Sequence, residues 1–401
     1  MNRPEPPLDS ADRDGWRSTV DTLKQALAAT AVARDQRGGT AKAERDLLRQ
    51  SGLLTLSIPA AQGGLGANWA DTLSVVREFA QVDSSLAHLF AFHHLLLATT
   101  RLFGQPSQWQ PWHEQTVEQR WFWGNALNPL DKTTVAAPLQ TGHQAGYLFR
   151  GRKSFCSGAS DSDMLLASAL NDQGRLVIGV VPTARRGINV LDDWDNMGQR
   201  QTYSGSVVFD DVLVSADELL TDPGPLSTPF ACLRPLLAQL ILANIYLGLG
   251  EGALQEAREF TLAHGRPWIA SPAAKAHEDL YVLGHYGDFW LALHGARALV
   301  EQAGRTLDAA WRQGAALTEE ARGEAAIAVA AAKVASTRAS LEVAHRMFEV
   351  TGARATTAAL RLDRYWRNLR VHTLHDPVDY KVRELGDFAL NARHPAPSFY
   401  S

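Results

Sequence analysis

The chain has 401 residues, 45% of them hydrophobic and 20% charged, and its 39 basic and 43 acidic side chains give a net charge of −4. These values exclude a disordered chain and allow either two or three small domains or one large composite unit. They give no electrostatic footprint for nucleic acid or an anionic membrane. The two cysteines, Cys156 and Cys232, are too few for a disulfide framework and favour a reducing cytoplasm.

No segment of the sequence resembles a targeting signal or a membrane span. Residues 1–7 are polar and proline-rich, without the apolar stretch of a signal peptide behind them. The most apolar stretch, 236–250, contains Gln239 and Asn244 and is shorter than the ~20 residues that a bilayer requires. We therefore predict that it forms a buried helix of a cytoplasmic protein.

The first region, residues 1–119, has the periodicity of helices. Apolar residues recur at spacings of three and four, as in Val20, Leu23 and Leu27. Asp83 is a plausible cap for a helix over 87–102, and Gly104 lies just past its end. These signals predict an N-terminal helical domain.

The second region, residues 120–226, has the pattern of short strands. The apolar runs 164–170 and 176–181 flank the turn-forming residues 171–174, which predicts a hairpin. Similar short runs lie at 147–149, 153–155 and 206–209. Short antiparallel strands at this spacing predict a middle β domain built as a small barrel or sandwich.

The third region, residues 227–401, returns to helices, and these are long. Helical spacing of apolar residues covers 239–264, 279–313 and 318–350, with two shorter helices over 363–371 and 377–390. Thr318 and Gly352 have the residue types of a helix start and a helix stop. The expected fold is therefore α+β but mostly α, with a C-terminal four-helix bundle.

Several catalytic and nucleotide-binding motifs are missing. The glycines at 248, 250 and 252 lie within a helical pattern and do not form a dinucleotide-binding turn, so close helix packing is the favoured interpretation. There is no phosphate-binding P-loop and no nucleophile elbow. Glu342 and His345 form the single Glu-x-x-His pair, whereas a di-iron bundle site needs two, so no metal site is expected.

Three histidines are candidates for chemistry. His372 and His375 lie three residues apart and would share one face of a helix, but the following Asp376-Pro377 is expected to break that helix near His375. A side chain at such a terminus can project into a cavity, or it can be a hydrogen-bonded structural histidine. His88, with Phe92 one turn later, can likewise line a pocket or simply pack.

Polar residues and glycines cluster at the ends of predicted strands. The clusters cover 123–126, 155–159 and 200–206. Hydroxyls and backbone N–H groups in such positions suit the carbonyls and nitrogens of a heteroaromatic ligand. Taken alone, these clusters are ordinary turns.

These segments carry a family resemblance. The three-part layout resembles the acyl-CoA dehydrogenase fold over essentially the whole chain. Several stretches resemble the flavin-dependent monooxygenases of dibenzothiophene and of sulfur acquisition: 124–126, 155–159, 192–194, 200–206, 239–244, 266–268, 348–354 and, most strongly, 363–378. The resemblance implies a two-component enzyme that receives reduced FMN from a separate flavin reductase.

The resemblance also implies residue roles. His88, Ser157 and His375 would face the reactive edge of the flavin, with His372 nearby. The FMN ring would be surrounded by Asn125, Ser157, Trp194, Ser204 and His375, and its phosphate would meet Arg266 and Arg354, one of them from a neighbouring subunit of a homotetramer. Phe92 and Leu127 would line the substrate pocket.

The implied reaction uses O2. A flavin C4a-hydroperoxide would transfer oxygen to the sulfur of a small apolar compound, which can be dibenzothiophene-like or an alkyl sulfide, sulfoxide or sulfone. N-hydroxylation of an amine or amino sugar remains an alternative on the same fold, as does a catalytically silent flavin-binding scaffold. Acyl-CoA dehydrogenation is disfavoured, because the positions where that family places its glutamate base offer only Asp376.

Overall fold

The computed structural model describes residues 10–141 and 144–401, so the N-terminal stretch 1–7 lies outside the described residues. Five helices come first: α1 Ser10–Arg37, α2 Lys42–Gln50, α3 Trp69–Ala80, α4 Ser84–Phe103 and α5 Pro106–Gln119. The side chain of Asp83 accepts the backbone N–H of Leu86, and α4 ends at Gly104, as predicted. All but one residue of α4 is buried, because the helix packs against α3, α6 and the sheet.

The middle region forms one seven-stranded sheet. Its strands are β1 Trp123–Ala126, β2 Val135–Thr141, β3 Gln144–Lys153, β4 Met164–Leu170, β5 Leu176–Pro182, β6 Ile188–Val190 and β7 Val207–Ser215. The order is β1-β4-β2-β3-β7-β6, with β5 also paired to β4. The predicted hairpin is confirmed as the antiparallel pair β4–β5.

The sheet is mixed rather than purely antiparallel. β1 runs parallel to β4, and β2 makes one parallel pairing with β4, whereas the other strand pairs are antiparallel as predicted. The starts of β1 and β4 are held together because the Phe122 N–H donates to the Asp163 carboxylate and the Asp163 N–H donates to the Phe122 carbonyl. From this junction both strands run in the same direction, with Trp123 opposite Met164 and Ala126 opposite Ala167. The 123–126 segment, which the sequence suggests is a turn at a strand end, is therefore itself a short buried strand at one end of the strand order.

The C-terminal region is helical: α6 Leu233–His264, α7 Leu280–Gln313, α8 Glu319–Thr351, α9 Asp363–His372 and α10 Val378–Asn391. α8 packs against α6, α7 and α10, which gives the expected bundle. Thr318 caps α8 and Gly352 ends it, as predicted. By length and composition α6 is the one described helix that passes the test for a membrane span, but 94% of its most apolar window is buried inside the protein. It is therefore a core helix.

The two helical regions share one core at the crossing of α3 and α6. A Cβ at Gly248 would lie 2.4 Å from the carbonyl oxygen of Arg77, and one at Gly252 would lie 2.0 Å from that of Gln81. Both distances are far below van der Waals contact, so only glycine permits this approach. The helix-packing prediction for these glycines is confirmed.

Candidate active site

The centre of the site is a contact between two buried histidines from opposite ends of the chain. His88 on α4 and His372 on α9 meet with their Nδ1 and Nε2 atoms 3.1 Å apart. The His88 ring also stacks on Phe92, with ring centroids separated by 4.0 Å. α9 ends at His372, so His375 lies in the turn that follows, close to the helix end as the Asp376-Pro377 sequence predicted.

Burial keeps both rings neutral. Desolvation, assisted by the nearby His375, lowers the pKa of His88 to about 3. The pKa of His372 lies well below its ordinary value for the same reason, with further lowering by His88 and His375. At neutral pH the contact therefore joins two uncharged imidazoles, each with one N–H donor and one acceptor nitrogen.

A buried ion pair holds the carboxylate beside His375. The Asp376 Oδ1 atom lies 3.1 Å from His375 Nδ1 and accepts from Lys333 Nζ, also at 3.1 Å. Lys333 in turn donates to Gln239 Oε1 at 2.7 Å. Burial alone would raise the pKa of Asp376, but the His375 hydrogen bond and the Lys333 charge hold it below its usual range. Such a carboxylate is a weak base, which argues against the acyl-CoA dehydrogenase reaction.

A group of hydroxyls from the β domain forms the second half of the site. Ser157 Oγ and Ser204 Oγ lie 2.7 Å apart, and Ser204 donates to Thr202 Oγ1 at 2.8 Å. The backbone N–H of Asn125 donates to the Ser157 carbonyl at 3.0 Å, and the Asn125 side chain accepts from the backbone N–H of Leu127. All five residues are buried. The three polar clusters of the sequence therefore come together.

The segment that carries the Ser157 hydroxyl and the helix that carries His88 are neighbours across the interface between the β domain and α4. A Cβ on Gly158 would lie 3.0 Å from the Leu89 side chain, so the segment after Ser157 packs beside α4 one residue past His88. His88 Nε2 is buried and has no hydrogen-bond partner among the described residues. A buried nitrogen without a partner and a cluster of hydroxyls on adjacent segments fit a ligand with several polar edge atoms, such as the isoalloxazine ring of FMN.

Gln199 links Trp194 to α9. Its carbonyl accepts the Trp194 indole N–H at 2.9 Å, and its backbone N–H donates to Asn368 Oδ1 at 2.7 Å. The Trp194 ring is half-buried and lies edge-on to Phe155, with centroids 6.1 Å apart. The sequence reasoning missed Gln199, although it directly precedes the resembling segment 200–206. It also missed Lys333, which is hidden in an alanine-rich helix.

The predicted phosphate ligands do not join this cluster within one chain. Arg266 and Arg354 are exposed beyond the end of α6, where Arg354 donates to the His264 carbonyl. Tyr246 donates to the His372 carbonyl at 2.7 Å. His264 is about 27 Å farther along α6 than Tyr246, at roughly 1.5 Å per residue.

Metal ligands are also not assembled in the described part of the chain. Glu342 and His345 are both exposed on α8, and Glu342 is paired with Arg346 at 2.8 Å. No group of three or more histidine, cysteine or carboxylate side chains in residues 10–141 and 144–401 could hold an ion.

Helical, β and helical regions in this order, with a polar site at their junction, define an acyl-CoA dehydrogenase fold. Residues 11–120, 129–212 and 240–380 match the N-terminal, middle and C-terminal domains of acyl-CoA dehydrogenases. The chain belongs to the acyl-CoA dehydrogenase family, which confirms the resemblance seen in the sequence.

Within that family the chain is similar to monooxygenases. It is 61% identical to the probable FMNH2-dependent monooxygenase SfnC of Pseudomonas putida, over 94% of each chain. The structure of methanesulfinate monooxygenase MsuC from Pseudomonas fluorescens is 60% identical with a TM-score of 0.94, covering 96% of this chain and 99% of that one. Dibenzothiophene monooxygenase of Mycolicibacterium goodii is 42% identical, over 93% of this chain and 92% of the relative.

Proposed function

We propose that this protein is a two-component monooxygenase that uses reduced FMN and O2 to oxygenate the sulfur of a small organosulfur compound. The observation that carries the proposal is the buried pair His88–His372, in which His88 Nε2 has no hydrogen-bond partner among the described residues, on a helix that packs against the segment of the Ser157 hydroxyl. The relatives named above support the flavin and the sulfur chemistry.

The residues present would hold FMN through polar contacts at its ring. Asn125, Ser157 and Ser204 offer an amide and two hydroxyls, and Trp194 offers a half-buried aromatic wall. Because Arg266 and Arg354 lie at the far end of α6, we expect them to meet the phosphate of FMN bound to a neighbouring subunit. A guanidinium fork matches phosphate oxygens well.

Bound reduced FMN supplies the chemistry that activates O2 and delivers one oxygen atom to sulfur. The chain's own part is to exclude water and to manage protons. His88 and Ser157 provide buried hydrogen-bonding groups, and buried donors stabilise developing negative charge more strongly than exposed ones do. His375, whose side chain is 39% exposed, can exchange a proton with solvent while Asp376 fixes its Nδ1.

We propose that Phe92 and Leu127 form an apolar lining of the substrate pocket. Phe92 is buried against His88, and Leu127 is fully buried beside Asn125. These side chains favour a small alkyl sulfur compound, in line with the methanesulfinate named for the 60%-identical structure.

We also propose a homotetramer that works in the cytoplasm with a separate flavin reductase. An apolar surface on α7 supports assembly through the bundle: Leu280, Tyr281, Trp290 and Leu291 are 58–83% exposed. Patches of this kind mark protein interfaces. The absence of a dinucleotide-binding fingerprint in the sequence fits the reduction of FMN by NADH or NADPH on another protein.

The test supplies reduced FMN and O2 with a panel of methanesulfinate, dimethyl sulfone, dibenzothiophene and an amino sugar. We expect oxygenated product from a small sulfur compound, with a rate at least ~100-fold lower in His88→Asn and His375→Asn, since acid–base groups contribute about 10²–10⁴-fold. The matched control is His345→Asn, because His345 is exposed on α8. Equal loss in the control, or oxygenation of the amine alone, would contradict the proposal.

A further inference from the structure

The side chain of Gln199 contacts both helices that carry the histidine pair. Gln199 is 2% exposed, and its Nε2 atom lies 3.1 Å from Ser84 Oγ on α4 and 3.3 Å from His372 Nδ1 on α9. Its Oε1 atom accepts from Ser85 Oγ at 3.3 Å. A single buried amide therefore spans the two helices that carry His88 and His372.

The contacts of the neighbouring Ser85 agree with the direction in which this amide points. Ser85 Oγ accepts the backbone N–H of Gln201 at 3.4 Å. Its own proton is therefore free for donation to Gln199 Oε1, which leaves the amide NH2 directed at Ser84 and His372. An NH2 group donates and never accepts, so His372 Nδ1 must be the acceptor.

The direction of the Gln199 amide sets the tautomers of both histidine rings. A neutral imidazole that accepts at Nδ1 carries its proton on Nε2. His372 Nε2–H therefore donates to His88 Nδ1 across the 3.1 Å contact. His88 then also carries its proton on Nε2, which is the buried atom without a partner among the described residues.

We infer that Gln199 is a positioning residue that sets the tautomers of His372 and His88, so that His88 presents an Nε2–H donor to an oxygen atom of the ligand. The inference rests on the proposed function only in assigning that acceptor to an oxygen of the flavin system or of the substrate. The opposite tautomer would present a lone pair, which repels an oxygen anion.

The tautomers can be read without flavin or substrate. Protein with isotopically labelled histidine nitrogens is examined by magic-angle-spinning NMR at neutral pH, and His88→Asn and His372→Asn identify the two sets of signals. We expect a protonated Nε2 and a bare Nδ1 in both rings. A proton on Nδ1 of His88 in the wild-type protein would overturn the inference, whether or not the protein oxygenates sulfur.

The role of Gln199 is tested by Gln199→Met, which keeps the length of the side chain and removes its hydrogen bonds. His372 and His88 should then populate both tautomers. The matched control is Gln201→Met in the same loop, because Gln201 bonds to Arg34 and to the Gly38 carbonyl and to no histidine.

If Gln199→Met fails to fold, Gln199→Asn provides the second variant, with an amide one methylene too short to reach His372. A wild-type tautomer pattern in the folded Gln199 variant would overturn the inference, and so would an equal change in Gln201→Met.

Discussion

Removing the charge of Lys333 tests how firmly Asp376 is held beside His375. In Lys333→Met the carboxylate keeps its place but loses a cation at 3.1 Å, in a pair whose side chains are 1% and 10% exposed. Breaking a buried pair from one side costs about 3–5 kcal/mol, because it leaves an uncompensated buried charge. We expect the same size of loss in Asp376→Asn, measured as free energy of unfolding by denaturant at neutral pH.

The double variant provides the decisive comparison. Lys333→Met with Asp376→Asn leaves no unpaired charge, so its loss should fall short of the summed single losses by roughly 1–3 kcal/mol. Lys42→Met is the matched control, because Lys42 pairs with Asp46 at the surface with 57% and 38% exposure and should cost less than about 1 kcal/mol. Single losses as small as this control, or strictly additive losses, would show that Lys333 does not stabilise the Asp376 carboxylate.

Three further predictions concern His113, Ser157 and Leu291. Burial lowers the pKa of His113 to about 4 from its ordinary 6.5, so between these pH values the unfolded chain binds a proton that the folded chain does not. The free energy of unfolding should therefore fall as the pH drops, by about 2 kcal/mol at pH 5. In denaturant titrations at pH 7 and pH 5, His113→Gln should lose about 2 kcal/mol less than the wild-type protein. Ser157→Ala should raise the Kd for FMN about tenfold in fluorescence titrations, a loss typical of one hydrogen bond, whereas Ser162→Ala, which breaks a similar 2.7 Å hydroxyl contact with Thr183, should leave it unchanged. Leu291→Glu should dissociate the proposed tetramer in sedimentation experiments, and an unchanged mass would show that α7 is not the interface.

The fold was predictable because local signals and global packing agree. Asp83, Thr318 and Gly352 mark helix ends in the structure as they do in the sequence, and Gly248 and Gly252 of α6 permit the close helix packing that was predicted. The parallel pairing of β1 was not predictable, because it depends on the reciprocal Phe122–Asp163 contact between segments that are distant in sequence.

The site was predictable only as a set of residue types. Periodicity and resemblance pointed to His88, Ser157, His372 and His375, but no pattern in one chain shows that His372 contacts His88 rather than His375. The role of Lys333 could not be predicted from its own helix either. Its helix has the composition of a simple packing helix, and the role of the lysine comes entirely from Asp376 on a distant segment.

Sulfur oxygenation with reduced FMN can be followed through the transferred oxygen atom itself. The protein is mixed with reduced FMN, isotopically labelled dioxygen and methanesulfinate, and the product is analysed by mass spectrometry. We expect methanesulfonate that carries one labelled oxygen atom, formed only when protein and reduced flavin are both present. Unlabelled substrate recovered intact, together with oxidation of an acyl-CoA by the protein and an electron acceptor without O2, would contradict it.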